Sequence, residues 1–165
     1  MTTETLWPVL DAAFVALIDS EMGAGSGYAD LKLAGVEIFE TWDPDTGPYP
    51  RVLILSDLAT VGPGGHGGGQ PHLDQVYTYR LVAIVQAATY SVARSNAQVL
   101  LARLRDAVRT NYAAILGTAA DNTETPQNIN WSRSRIETRG RNKPGATVGL
   151  FFGISELTIA IESTI

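Results

Sequence analysis

The chain has no cysteine among its 165 residues. That excludes disulfides, Cys-ligated zinc, iron–sulfur clusters and thiol nucleophiles, so any catalytic centre would have to use other residue types. Histidine is almost as scarce, with His66 and His72 the only two. No run approaches the roughly 20 apolar residues that span a bilayer. The densest stretch, Val148 to Ile154, is strand-length and contains two glycines. At the amino end Glu4 precedes any basic residue, and Pro8 and Asp11 interrupt the apolar residues, so the charged and apolar blocks of a secretory signal are missing. The expectation is a protein that stays where it is made and has no membrane partner.

What is present suffices for one core. An apolar content of 45% in a chain of this length points to a single domain over residues 1–165. The net charge of -5 is unevenly spread, and the spread is more informative than the total. Residues 1–90 carry three basic residues against eleven acids, a balance of -8, and the remainder carries nine against six, a balance of +3.

Apolar residues at Leu6, Leu10, Phe14, Leu17 and Ile18 fall at helical spacing, Thr5 can cap the first turn and Pro8 is tolerated close to it, which predicts a helix over about 5–21. Residues 35–42 alternate well enough for a strand. Residues 43–50 are rich in turn formers, and Arg51 to Leu58 resumes as an apolar strand, so a hairpin with a long tip is expected. Three consecutive apolar residues, Leu53, Ile54 and Leu55, predict that this strand is central and covered on both faces.

Residues 60–72 hold six glycines and two prolines, too little burial to offset the entropy of ordering, and are expected to form a flexible loop. Gln75 to Ala88, rich in β-branched and aromatic residues, is a third strand. From Ser91 to Leu116 the period turns helical, with Arg94, Arg105 and Arg109 off the apolar stripe and Gly117 as the stop. Residues 128–141 read as extended, and Lys143 to Ala146 as a turn into a last strand. That strand has Phe152 and Ile154 in even phase but Leu157, Ile159 and Ile161 in odd phase, which predicts a bulge near Gly153 to Glu156. The fold class expected is α+β: a mixed or antiparallel sheet with two helices packed on one face, in the order helix, three strands, helix, two strands.

The constellations that could carry chemistry are incomplete. The glycine segment from Gly62 to Gly69 lacks the Lys and the Ser or Thr of a phosphate loop. His66 and His72 with Asp57 or Asp74 could hold a metal only if the metal ordered the loop itself. Asp43, Asp45 and Gly47 resemble the start of a calcium loop, but Ile54 stands where its closing Glu belongs. No Gly-x-Ser-x-Gly occurs, and with no secretory signal expected, the glycosylation match Asn130-Trp-Ser132 is expected to be chance. No catalytic residue, metal ligand or cofactor site is therefore assigned, and the expectation is a protein that is not an enzyme.

One cluster is unusual. Arg133, Arg135, Arg139, Arg141 and Lys143 are all odd-numbered, so an extended strand would place them on one face with Trp131 and Glu137. The stripe reads either as a solvated strand edge whose charges block pairing, or as a contact surface. A sequence pI near 4.9 argues against sequence-specific nucleic acid as the partner. The economical acidic partner is the amino-terminal half of another copy, and unlike patches make a head-to-tail interface that closes into a ring.

In this arrangement the chain resembles the tail terminator, or tail completion, proteins of long-tailed bacteriophages. The resemblance rests on the amphipathic first helix, the strands Pro50 to Leu55 and Tyr79 to Val85, the helix segment Ala97 to Arg105 and the closing strands from Asn130. It implies the same α+β sandwich and no catalytic residues. It also implies a virion protein assembled in the host cytoplasm, of which six copies form a ring on the tail tube protein, stop its polymerisation and meet the neck or connector proteins. The glycine loop and the basic stripe have no counterpart in the resemblance. The alternatives from the residues are another ring of the neck, a head completion or connector protein, and a small ligand-binding module using the Gly/His loop.

Overall fold

The computed structural model describes residues 3–39, 47–64, 72–118, 125–141 and 150–164. The elements run α1 (Thr3–Met22), β1 (Gly35–Ile38), β2 (Arg51–Gly64), β3 (His72–Ala87), α2 (Tyr90–Thr118), β4 (Thr125–Arg141) and β5 (Leu150–Thr164). The five strands make one mixed sheet in the order β1-β2-β3-β5-β4. The fold is α+β, with both helices against one face.

Alternation along the strands sorts the core into two layers. Val52 and Ile54, Tyr77, Tyr79 and Leu81, and Leu157, Ile159 and Ile161 face the helices, where they meet Leu10, Phe14 and Ile18 of α1 and Leu100, Leu104 and Val108 of α2. Spacings of three and four along each helix put its apolar residues on the stripe that meets the sheet. Leu53, Val82, Ile84, Phe152 and Ile154 form a second cluster on the opposite face, partly covered by Phe39 and Tyr49. Strand β2 is thus covered on both faces, as its consecutive apolar residues require. Polar contacts join the layers: the Trp7 indole donates to Ser56 Oγ at 2.9 Å and the Tyr79 hydroxyl to Asp11 Oδ1 at 2.9 Å.

Two expectations about strand direction and regularity are corrected. Strands β1 and β2 are parallel, Gly35 opposite Arg51 and Ile38 opposite Ile54, so they are not a hairpin. Residues 39–50 supply the dozen residues that a parallel connection needs, and turn formers such as Pro and Gly do not reveal which way a strand returns. Strand β5 has no bulge: its pairing with β3 is unbroken from Phe151 to Thr164. Its odd positions face the helices throughout, but Gly153 and Ser155 are small because α2 passes too close for anything larger. A Cβ on Gly153 would overlap the Ala93 carbonyl oxygen and lie 3.0 Å from the Ala97 Cβ, and the Ser155 hydroxyl donates to the Ala97 carbonyl. Phe152 and Ile154 meanwhile fill the second cluster, so the apparent phase change is a change of which layer needs bulk. The register shifts fall in β4 instead, between Pro126 and Asn128 and between Trp131 and Arg133.

The β2–β3 ladder extends into the glycine-rich segment, with Val61 opposite Asp74 and, after a register shift, Gly64 opposite His72. The first and last residues of the expected loop are therefore strand. His66, Asp43, Asp45, Lys143 and the Lys143 to Ala146 turn lie outside the described residues.

Candidate interaction surfaces

Strands β1 and β4 are the two edges of the sheet, and no strand among the described residues pairs with their outer sides. Cross-strand register makes rows that run from one edge to the other. One row on the helix-free face is Glu37, Leu53, Val82, Glu156 and Arg135. It begins with an acid at the β1 edge and ends with a base at the β4 edge, about 19 Å away over four strand spacings.

The predicted basic stripe is real for part of its length. Arg133, Arg135, Glu137, Arg139 and Arg141 pair with Thr158, Glu156, Ile154, Phe152 and Leu150, one alternate set of β5 positions. The register shift before Arg133 leaves Trp131 opposite Ile159, out of phase with the arginines. The stripe is not a bare row of positive charge. Arg139 donates to both oxygens of Glu137, at 2.6 and 3.2 Å, and Arg135 donates to the same carboxylate at 3.0 Å. Beside it Arg80 forks onto Glu156, Nε to Oε1 at 3.2 Å and an Nη to Oε2 at 3.1 Å. The hydrogen bond from Arg139 leads in holding the Glu137 carboxyl below the usual carboxylate range, and the same bond pushes Arg139 up. For Glu156 burial acts to raise the pKa, but the Arg80 fork and the fields of Arg80, Arg135 and Arg133 outweigh it and the net shift is downward. Both acids stay ionised and neutralise part of the stripe.

Sequence reasoning missed the arginines of α2. This helix lies across β3, β5 and β4, whereas α1 lies over β1 and β2. Arg103 of α2 faces the loop after α1, with its guanidinium 3.8 Å from the Tyr28 ring centroid and donating to the Asp30 carbonyl and carboxylate at 2.7 Å each. At 3.6 residues per turn, Arg94 and Arg105 project about 180–200° round the helix from Arg103, away from α1. The α2–β4 edge therefore carries Arg94 and Arg105 on the helix side of the sheet and Arg133, Arg135 and Arg139 on its helix-free side. Among the described residues, Arg94, Arg105 and Arg133 make no salt bridge. The signal was in the sequence, where these arginines sit off the apolar stripe, but their direction relative to β4 depends on how α2 is laid on the sheet.

The opposite flank is acidic and concave. A groove of about 670 Å³ runs between α1 and β1, its walls made by Pro8, Ala12, Val15 and Ala16 on one side and Val36 and Ile38 on the other, with Asp11 and Asp19 at its margin. Ile38 is 41% exposed. Asp11 accepts the Tyr79 hydroxyl, and burial, followed by the Asp11 charge, pushes the Tyr79 pKa up so that it remains the donor. Neither Asp11 nor Asp19 has a cation within salt-bridge distance among the described residues.

Among the described residues no three His, Cys, Asp or Glu side chains gather as a metal site, and no helix is long and apolar enough to cross a membrane. No protein-family model matches the chain, and no curated protein matches it.

Proposed function

We propose that this chain is a virion structural protein, a ring-forming tail terminator. Its copies join head to tail into a ring, six by the resemblance, that caps the tail tube protein, stops its polymerisation and presents a surface to the neck or connector proteins. The observation that carries the reading is the position of its unlike charges. The acidic α1–β1 flank and the basic α2–β4 flank lie at opposite edges of one sheet. Non-identical surfaces on opposite sides of a subunit generate a heterologous interface, which closes into a ring when the rotation between copies permits. The α+β sandwich is consistent with a scaffold role.

Negative-stain microscopy and light scattering of the purified protein, alone and with tail tube protein, test the proposal. Closed rings, or capped tubes of limited length, are expected. A chain that stays monomeric in both conditions and leaves tube length unchanged refutes it. Capture of neck proteins without any effect on the tube would instead assign the ring to the connector.

A further inference from the structure

We infer that the α1–β1 groove is the acceptor half of the subunit interface, and that its occupant is the α2–β4 flank of a second copy. Asp11 and Asp19 then take Arg94 and Arg105, which lie on the same helix side of the sheet as the groove, with Arg133 at the adjoining β4 edge. The inference rests on the ring reading and specifies its contacts.

Three observations converge. First, acids without a salt bridge line the groove and arginines without one lie on the opposite flank, while Lys32 and Glu21, which make no salt bridge either, are engaged by the Ala24 carbonyl and by Asn111. Asp11 and Asp19 stand on one flank, and Arg94, Arg105 and Arg133 on the other, while the remaining arginines with described ion pairs are matched within the chain. Second, the groove suits an arginine side chain along its whole length. Ala12, Val15, Ala16 and Ile38 offer an apolar wall for the aliphatic stem, and the aspartates at the margin receive the fork. Eight residues separate Asp11 from Asp19, about 12 Å along α1, so two arginines can be held at once. Third, Asp19 is locally in the wrong place. It is exposed in the last turn of α1, which has no basic residue, where the helix macrodipole disfavours an acid. An opposing cation from another copy would compensate.

The test separates assembly from folding. Asp19→Arg removes the unfavourable charge from the helix terminus and should raise the melting temperature of the subunit by about 1–4 °C. The same change should move the assembly midpoint to a protein concentration more than about ten-fold higher, because it sets like charges against each other. The triple variant Arg94→Glu, Arg105→Glu, Arg133→Glu should do likewise, and its exposed positions keep the test intact if Asp19→Arg melts lower.

An equimolar mixture of the two variants should assemble again. A reversed groove would meet a reversed flank at one interface, and the original groove would meet the original flank at the next. If wild-type rings form and both variants form them equally well, the groove is not the interface and the ring reading survives. If each variant fails and the mixture fails too, the two surfaces do not mate, and the inference falls. If the wild-type protein forms no ring with or without tail tube protein, the ring reading falls and the groove assignment with it.

Discussion

Replacing Gly153 by alanine sets two effects of similar size against each other, and the structure decides the sign. Alanine restricts the unfolded chain and, where the native backbone accepts it, stabilises by about 0.4–1 kcal/mol. Gly153 has no left-handed conformation to protect, so nothing in its own backbone opposes the change. The obstacle is the Ala93 carbonyl oxygen, which the new Cβ would overlap, with the Ala97 Cβ at 3.0 Å behind it. That oxygen belongs to helix backbone and cannot swing aside like the end of a side chain. The first turns of α2 must therefore lift from β5, straining the hydrogen bond from Ser155 to the Ala97 carbonyl.

Overpacking of this kind costs about 1–3 kcal/mol, so the net expected for Gly153→Ala is a loss of about 1–2 kcal/mol, or roughly 2–8 °C in melting temperature. Two other glycines serve as internal standards in the same thermal melt followed by circular dichroism. Gly35→Ala has nothing within 4 Å and should be neutral or stabilising, and Gly140→Ala meets only the Phe151 ring edge at 3.3 Å and should stay within about 0.5 kcal/mol. Ala97→Gly should not rescue Gly153→Ala, because the carbonyl remains. A Gly153→Ala protein that melts at or above the wild-type temperature would refute the close helix–strand approach and the explanation of the β5 phase built on it.

The acid limb of stability should depend on Glu156. Its folded pKa is depressed, so its contribution is present above the unfolded carboxyl value near 4.3 and is lost as pH falls through the lower folded value. Glu156→Gln should flatten the fall in stability between about pH 5 and pH 2 in chemical denaturation, and an unchanged limb would remove the Arg80 fork as its cause. Arg103→Ala should cost about 1–2 kcal/mol from the lost Tyr28 stacking and Asp30 bonds. Hydrogen exchange should quicken in residues 23–34, while an equal increase throughout the chain would show that Arg103 does not pin that loop specifically.

Much of the architecture was legible because it follows from short-range rules. The 3.6-residue period of Leu10, Phe14 and Ile18, and of Leu100, Leu104 and Val108, determines two amphipathic helices wherever they come to rest, and the apolar run Leu53 to Leu55 determines a strand with two covered faces. Periodicity also put Arg133, Arg135 and Arg139 on one side of a strand.

The tertiary structure alone decided the rest, since it depends on distances between segments remote in sequence. That β1 lies parallel beside β2 is shown by the pairing of Gly35 with Arg51 and of Ile38 with Ile54, whereas the composition of residues 39–50 suits either sense. Small residues at Gly153 and Ser155 looked like a break in phase until α2 was seen lying against them. Glu137 and Glu156 neutralise part of the basic stripe through neighbours that only strand register brings within reach. Charge totals along the chain revealed an acidic half and a basic half. Only the strand order β1-β2-β3-β5-β4 puts the groove with Asp11 and Asp19 and the flank with Arg94, Arg105 and Arg133 at opposite edges of one subunit.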